Sequence, residues 1–282
     1  MATFTNQATL SYTGGITNSN VTVGEILEVL SATKTAITPT YAQGESVTYA
    51  VSFVNSGTTA INGLTLTDNL GAYVFDSSTL YPLTYNEDSL KFFINGVLQT
   101  TPTVTAGPPL TISNITIPAG ANGILIYEAT ANRYAPLSEN STITNTATFT
   151  GGGLTESVSS SATVTARALP ALTITKSVCP TVVTDNDTLT YTFVIQNTGN
   201  TPADAASAIV VSDTFNPILN DITVTLNGEA FPATSYTYDQ ASGVFNTTAG
   251  SVTVPAATYT QDENGEIITT PGVAVLTISG TV

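Results

Sequence analysis

The sequence has no histidine, no tryptophan, one cysteine and one methionine in 282 residues. Without imidazole there is no Ser-His-Asp triad and no histidine metal ligand. One cysteine makes neither an internal disulfide nor a thiolate zinc site. Positive charge is scarce too: 5 Lys and Arg stand against 20 Asp and Glu, a formal balance of −15. That sign repels phosphate backbones and anionic headgroups, so no nucleic acid is expected as a partner. No apolar run approaches the roughly 18 residues of a span, so no membrane insertion is expected either. The opening residues, MATFTNQATLSYTGG, carry neither the basic nor the apolar region of a secretory signal. Serines and threonines abound, yet only carboxylates and three lysines could act as their bases. The expectation is a chain that is not an enzyme, with no catalytic residue, no cofactor and no metal site.

What the chain does have is Thr, Val, Ile and Tyr with only 9% charged residues, a composition suited to pleated, half-buried strands and unlike that of disorder. Val47, Tyr49, Val51 and Phe53 alternate with Thr48, Ala50 and Ser52, the period of two that a strand with one buried face requires. Leu189, Tyr191, Phe193 and Ile195 repeat the pattern. Asn-Gly pairs at 95, 227 and 264 supply the positive φ of tight hairpin turns. Helical patterning is absent over any useful length. The loops Asp185-Asn186-Asp187 and Asp262-Glu263-Asn264-Gly265-Glu266 gather oxygen atoms, but neither has the spacing of a calcium loop and both sit where turns are expected.

A unit of the chain occurs twice. Lys34 aligns with Lys176, Tyr49 with Tyr191, Asn55 with Asn197 and Gly57 with Gly199, all at one offset of 142 residues. Further on, Asp68 matches Asp213, Asn95-Gly96 matches Asn227-Gly228, and Gly123 onward matches Gly272 onward, which sets Val282 against Arg133. The expected fold is all-β: two tandem immunoglobulin-like β-sandwiches, over residues 29–166 and 167–282, behind an N-terminal hairpin in 1–28. The first copy closes with two further strands, TITNTATFTGGG and LTESVSSSATVTA. The second has no counterpart of them, but the start of the chain does: TFTNQATL (3–10) matches TITNTATF (142–149), with Phe4 on Ile143, Asn6 on Asn145, Ala8 on Ala147 and Leu10 on Phe149. SNVTV (19–23) matches SSATV (160–164).

A lone hairpin is marginal in water, and a sandwich short of two strands exposes edges and apolar side chains. Phe4, Ala8, Leu10, Tyr12, Val21 and Val23 are the expected donor face. Val273, Val275, Leu276, Ile278 and Val282 are the expected acceptor strand. Burying four or five such side chains is worth on the order of 8–12 kcal/mol gross. Short linkers disfavour closure within one chain, so the expected partner is a second copy, joined head to tail. Such heterologous contacts give filaments or rings. An open filament of two sandwiches per subunit implies an axial repeat of roughly 70–80 Å.

Lys34-x4-Pro and Lys176-x3-Pro are each followed by Gly/Asn-Glu/Asp-Ser/Thr-x-Thr-Tyr, Asn-Ser/Thr-Gly and a Thr/Ser-Asp pair. In these motifs the chain resembles the conserved-repeat domain of unknown function strung in arrays through bacterial and archaeal surface proteins. The resemblance covers both copies and implies surface architecture without catalysis. Those arrays follow a secretion signal, and this sequence departs from that; an appendage of the cell or spore surface is the expected location. The order of hairpin before sandwich is similar to donor-strand pili. The alternative is a stalk or adhesive segment of a longer surface protein; the sequence names no tip or anchor protein. In some bacterial surface sandwiches a strand lysine condenses with Asn or Asp. Here the candidates are Lys34 with Asp68 and Lys176 with Asp213, a plain ion pair being the other reading. Cys179 is expected to be either a small buried hydrophobe or an intermolecular disulfide partner.

Overall fold

The computed structural model describes residues 2–26 and 29–282, built almost entirely from antiparallel strands. Two compact units contain them. One comprises residues up to Ala135 together with Thr142–Thr165; the other comprises Pro136–Ser141 and Ala166–Val282. The hairpin segment is thus counted with the first unit, and the loop 136–141 with the second.

The first unit is a complete immunoglobulin-like sandwich of two six-stranded sheets. One sheet runs Val97–Leu98, Lys91–Ile94, Asn122–Ala131, Ser46–Asn55, Leu30–Ala36, with Leu83–Tyr85 also paired to Asn122–Ala131. The other runs Thr103–Thr105, Leu110–Ile117, Ile61–Asp68, Thr142–Gly151, Val158–Ala166, Thr40–Tyr41. The alternation read in the sequence is the alternation of burial: Val47, Tyr49, Val51 and Phe53 face inward. Ile143, Ala147, Phe149 and Val164 of the closing strands meet them, with the Phe53 and Phe149 ring centroids 4.9 Å apart. The closing pair is therefore part of the core, and its edge is covered in turn by Thr40–Tyr41.

The second unit repeats the first sheet. Its order is Leu172–Cys179, Thr188–Asn197, Gly272–Thr281, Asn220–Leu226, Glu229–Ala230. Its second sheet has three strands, Ser212–Thr214, Val244–Thr247 and Tyr236–Asp239. In the first unit Ile61–Asp68 is paired on both sides, to Leu110–Ile117 and to Thr142–Gly151. Its counterpart Ser212–Thr214 is paired on one side only, to Val244–Thr247.

Strand pairing corrects one alignment. Phe53 lies opposite Gly123 and Ile195 lies opposite Ala274, so Ala274 takes the place of Gly123. Thr281 likewise stands for Thr130 and Val282 for Ala131. The match of Gly123 with Gly272 is two residues out because the glycines serve different ends. A side chain at Gly123 would strike the Phe53 ring, whereas one at Gly272 would strike the Pro255 carbonyl.

Candidate assembly site

In the first unit Lys34 and Asp68 form an ion pair that is fully closed from solvent. The Tyr127 hydroxyl donates to the same Asp68 oxygen, Oδ2, that accepts from Lys34 Nζ. Asp68 Oδ1 accepts from the Leu70 N–H at 2.9 Å. The Lys34 ammonium also lies 4.7 Å from the Tyr49 ring centroid and 5.6 Å from that of Tyr127. Burial lowers the Lys34 pKa to about 8, against the opposing pull of Asp68. Burial, and then the charge of Asp68, push the Tyr127 hydroxyl well above its ordinary value. The closing strands complete this site: Ala147 lies opposite Asp68, Asn145 is buried, and Ser160 Oγ accepts from the Lys34 N–H at 2.8 Å. Both amide atoms of Asn145 and the Tyr49 hydroxyl are buried without a hydrogen-bond partner, and each such group costs about 1–3 kcal/mol.

The second unit holds the same pair, Lys176 with Asp213. Lys176 Nζ lies 4.5 Å from the Tyr191 ring centroid and 5.5 Å from that of Phe215. Here the side chains are 40% and 18% exposed, against 0% for both members of the first pair. The strand on which Lys176 lies is uncovered too. Leu172 and Ile174 are exposed, whereas Leu30, the counterpart of Leu172, is 5% exposed. Open edge, exposed lysine and exposed apolar strip all fall where the closing strands lie in the first unit.

The expected acceptor strand is corrected by the same comparison. Gly272–Thr281 is paired on both sides, to Thr188–Asn197 and Asn220–Leu226, so it offers no edge. Leu276 and Ile278 are buried already, Val273 points outward at 42% exposure, and Val275 and Val282 are half-buried. The sequence argument followed chain order into the missing loop, whereas the vacancy lies in the opposite sheet, beside Ser212–Thr214. Phe215, Phe245 and Val254 are buried in the core of the second unit.

The N-terminal segment is a separate hairpin. Ala2–Asn6 pairs with Thr22–Ile26, and Thr9–Tyr12 with Gly15–Asn18. Phe4, Leu10, Tyr12, Val21 and Val23 are all more than half exposed, and Ala8 is exposed beside them. Its register differs from expectation at one end. Phe4 lies opposite Gly24 and Thr5 opposite Val23, which turns Val23 to the face away from Phe4. The turn end keeps the register of the closing pair, Leu10 opposite Thr17 as Phe149 is opposite Val158. The slip falls in the 19–21 stretch, where Ala8 N–H donates to Ser19 Oγ and Ser19 N–H to the Ala8 carbonyl. With neither face buried, nothing holds a strand to one register.

Of the remaining singled-out residues, Cys179 is a free, exposed thiol and no buried hydrophobe. The acidic loops use their oxygens on their own turns: Asp187 Oδ2 accepts from Thr184 N–H and Oγ1, and Asp262 Oδ1 from the N–H groups of Asn264 and Glu266. These bonds hold both carboxyls below the usual carboxylate range. Among the described residues no group of three His, Cys, Asp or Glu could hold a metal, and no helix is long and apolar enough to cross a membrane. The Asn-Ser/Thr-Gly motifs pin loops. Asn55 Nδ2 donates to the Thr59 and Pro118 carbonyls, and Asn197 Nδ2 to those of Thr201 and Pro255.

No protein-family model and no curated protein matches the sequence. Among solved structures the chain is similar to BcpA, the major pilin subunit of Bacillus cereus, at 12% identity over 96% of this chain and 73% of that one, with a TM-score of 0.37. It is similar to the pilus backbone RrgB from Streptococcus pneumoniae at 14% identity over 86% of this chain and 55% of that one, TM-score 0.34. A collagen-binding subdomain of the Enterococcus faecalis surface protein ACE shares 10% identity over 49% of this chain and 99% of that one, TM-score 0.31. Likeness this loose assigns neither family nor function, and the sandwich description rests on the strand pairing above.

Proposed function

We propose that the chain is a structural subunit of a surface fibre, on a cell or spore, that polymerises head to tail. The exposed N-terminal hairpin of one copy completes the second sandwich of the next. One observation carries the reading: Ser212–Thr214 lacks the partner strand that Ile61–Asp68 has, and residues 3–10, exposed from Phe4 onward, match the sequence of that partner, 142–149. A hairpin seated there supplies main-chain hydrogen bonds to the open edge, as in strand addition generally. It also covers Leu172, Ile174 and Lys176. The contact joins two different surfaces and leaves both free again at the ends, which is the condition for an open filament. No cofactor, nucleic acid or membrane enters the process.

The test is electron microscopy of the purified chain beside a deletion of residues 1–27. Filaments from the full chain that vanish on deletion are the expected outcome. Monodisperse particles from both would overturn self-assembly and favour a stalk segment of a longer surface protein.

A further inference from the structure

The buried Asn145 is the polar group for which the fold of the first unit gives no account. It lies two residues from Ala147, the residue opposite Asp68, and so shares the face that Asp68 presents. Its amide lies against the Tyr49 and Tyr127 hydroxyls, and Tyr127 in turn is bonded to Asp68. A buried primary amine and carboxyl group are therefore linked through the Tyr127 hydroxyl to a buried carboxamide that makes no well-formed hydrogen bond. Desolvation there favours the neutral, nucleophilic form of Lys34.

We propose that Lys34 and Asn145 condense to an amide within the first unit, and that a second copy's hairpin, by laying its Asn6 in the place of Asn145, lets Lys176 form the same bond between subunits. The second half rests on the head-to-tail reading; the first does not. In the reaction the Lys34 ammonium passes a proton to the Asp68 carboxylate. The free amine then attacks Cγ of Asn145 while Asp68 hydrogen-bonds the developing oxyanion at Oδ1. This attack forms the Nζ–Cγ bond, and collapse of the tetrahedral intermediate breaks the Cγ–Nδ2 bond. Asp68 carries a proton from Nζ to the leaving nitrogen, which departs as ammonia. Nothing is oxidised or reduced, and no co-reactant is needed.

The second unit holds Lys176 and Asp213 in the same relation and lacks the carboxamide. Its lysine is half-open to solvent and has no carboxamide to attack until a hairpin brings one. Asn6 aligns with Asn145, but Asn145 lies opposite Ala162, whose match is Val21, whereas Asn6 lies opposite Thr22 in the free hairpin, one residue out of the closing pair's register. Reaction is thereby confined to the assembled state.

Intact mass of the dispersed full chain tests the first half. A mass one ammonia below the sequence value is expected, with a cross-linked peptide joining residues 34 and 145 in the wild-type digest. The full sequence mass overturns the proposal outright, whatever the chain assembles into. For the second half, wild-type filaments are boiled in detergent with reductant. A ladder of covalent multimers that Asn6→Ala abolishes is expected. Filaments that fall wholly to monomer overturn the interchain bond and leave the head-to-tail reading standing. Absence of filaments overturns that reading and the interchain bond together.

Discussion

At the residue scale the two lysine–aspartate pairs are one chemical group in two environments. Lys34–Asp68 is sealed and Lys176–Asp213 is open. Removing one member of a sealed pair strands a charge, at about 3–5 kcal/mol, whereas an open pair is worth about 0–1 kcal/mol. Asp68→Ala is therefore expected to lower the denaturant midpoint of the first unit severely. Asp213→Ala in dispersed chains should leave the second unit nearly unchanged. Equal effects in chemical denaturation would contradict the difference in burial. Tyr127 adds a pH signature. Its hydroxyl pKa is raised by burial and by Asp68, so the folded state keeps a proton that the unfolded chain releases near pH 10. Its contribution is full below pH 10 and is lost as pH rises beyond it, at about 1.4 kcal/mol per pH unit. Tyr127→Phe should lessen the alkaline loss in denaturation curves taken from pH 9 to 11, leaving the share of Tyr41 and Tyr49, whose hydroxyl pKa values burial also raises. A free Lys34 amine works in the opposite sense. Its lowered pKa makes stability rise between about pH 8 and 10.5, a rise that an amide-bound Lys34 cannot give.

At the scale of elements, period-two alternation made the strands and the duplication legible, and Asn-Gly marked turns at 95 and 227, where both asparagines have positive φ. The vacancy was legible as a missing sequence, but its place was not. Which strands neighbour one another depends on sheet order, and sequence similarity put the acceptor on Gly272–Thr281, a strand paired on both edges. The buried role of Asn145 and the exposure of Leu172 were illegible for the same reason, since each depends on a strand distant in the chain. The hairpin register was lost to a further cause: Phe4 stands opposite Gly24 because no sandwich is present to select between faces. Because the donor face is solvent-exposed in the free chain, substitutions there should act on assembly alone. Leu10→Asp removes a side chain worth about 1.5–3 kcal/mol when buried and puts a charge on the apolar face, which costs more to bury. Sedimentation is expected to show an assembly threshold at least tenfold higher, with both unfolding transitions unmoved. A shifted transition would mean that the hairpin is already part of its own chain's core.

At the scale of the whole molecule, the argument concerns valence. On the proposed head-to-tail reading each full chain has one donor hairpin and one acceptor edge, so a chain stripped of residues 1–27 can receive a hairpin but cannot offer one. Such a chain ends any filament it joins. Added in small proportion to full-length protein, it should shorten filaments in inverse relation to its fraction, without changing their axial repeat. Lateral bundling, or assembly through identical surfaces, would respond otherwise, because a truncated chain would then be incorporated along the length or ignored. Filament length measured against the truncated fraction therefore separates a heterologous contact from an isologous one. The hairpin serves as donor only if the truncated chain acts as a terminator.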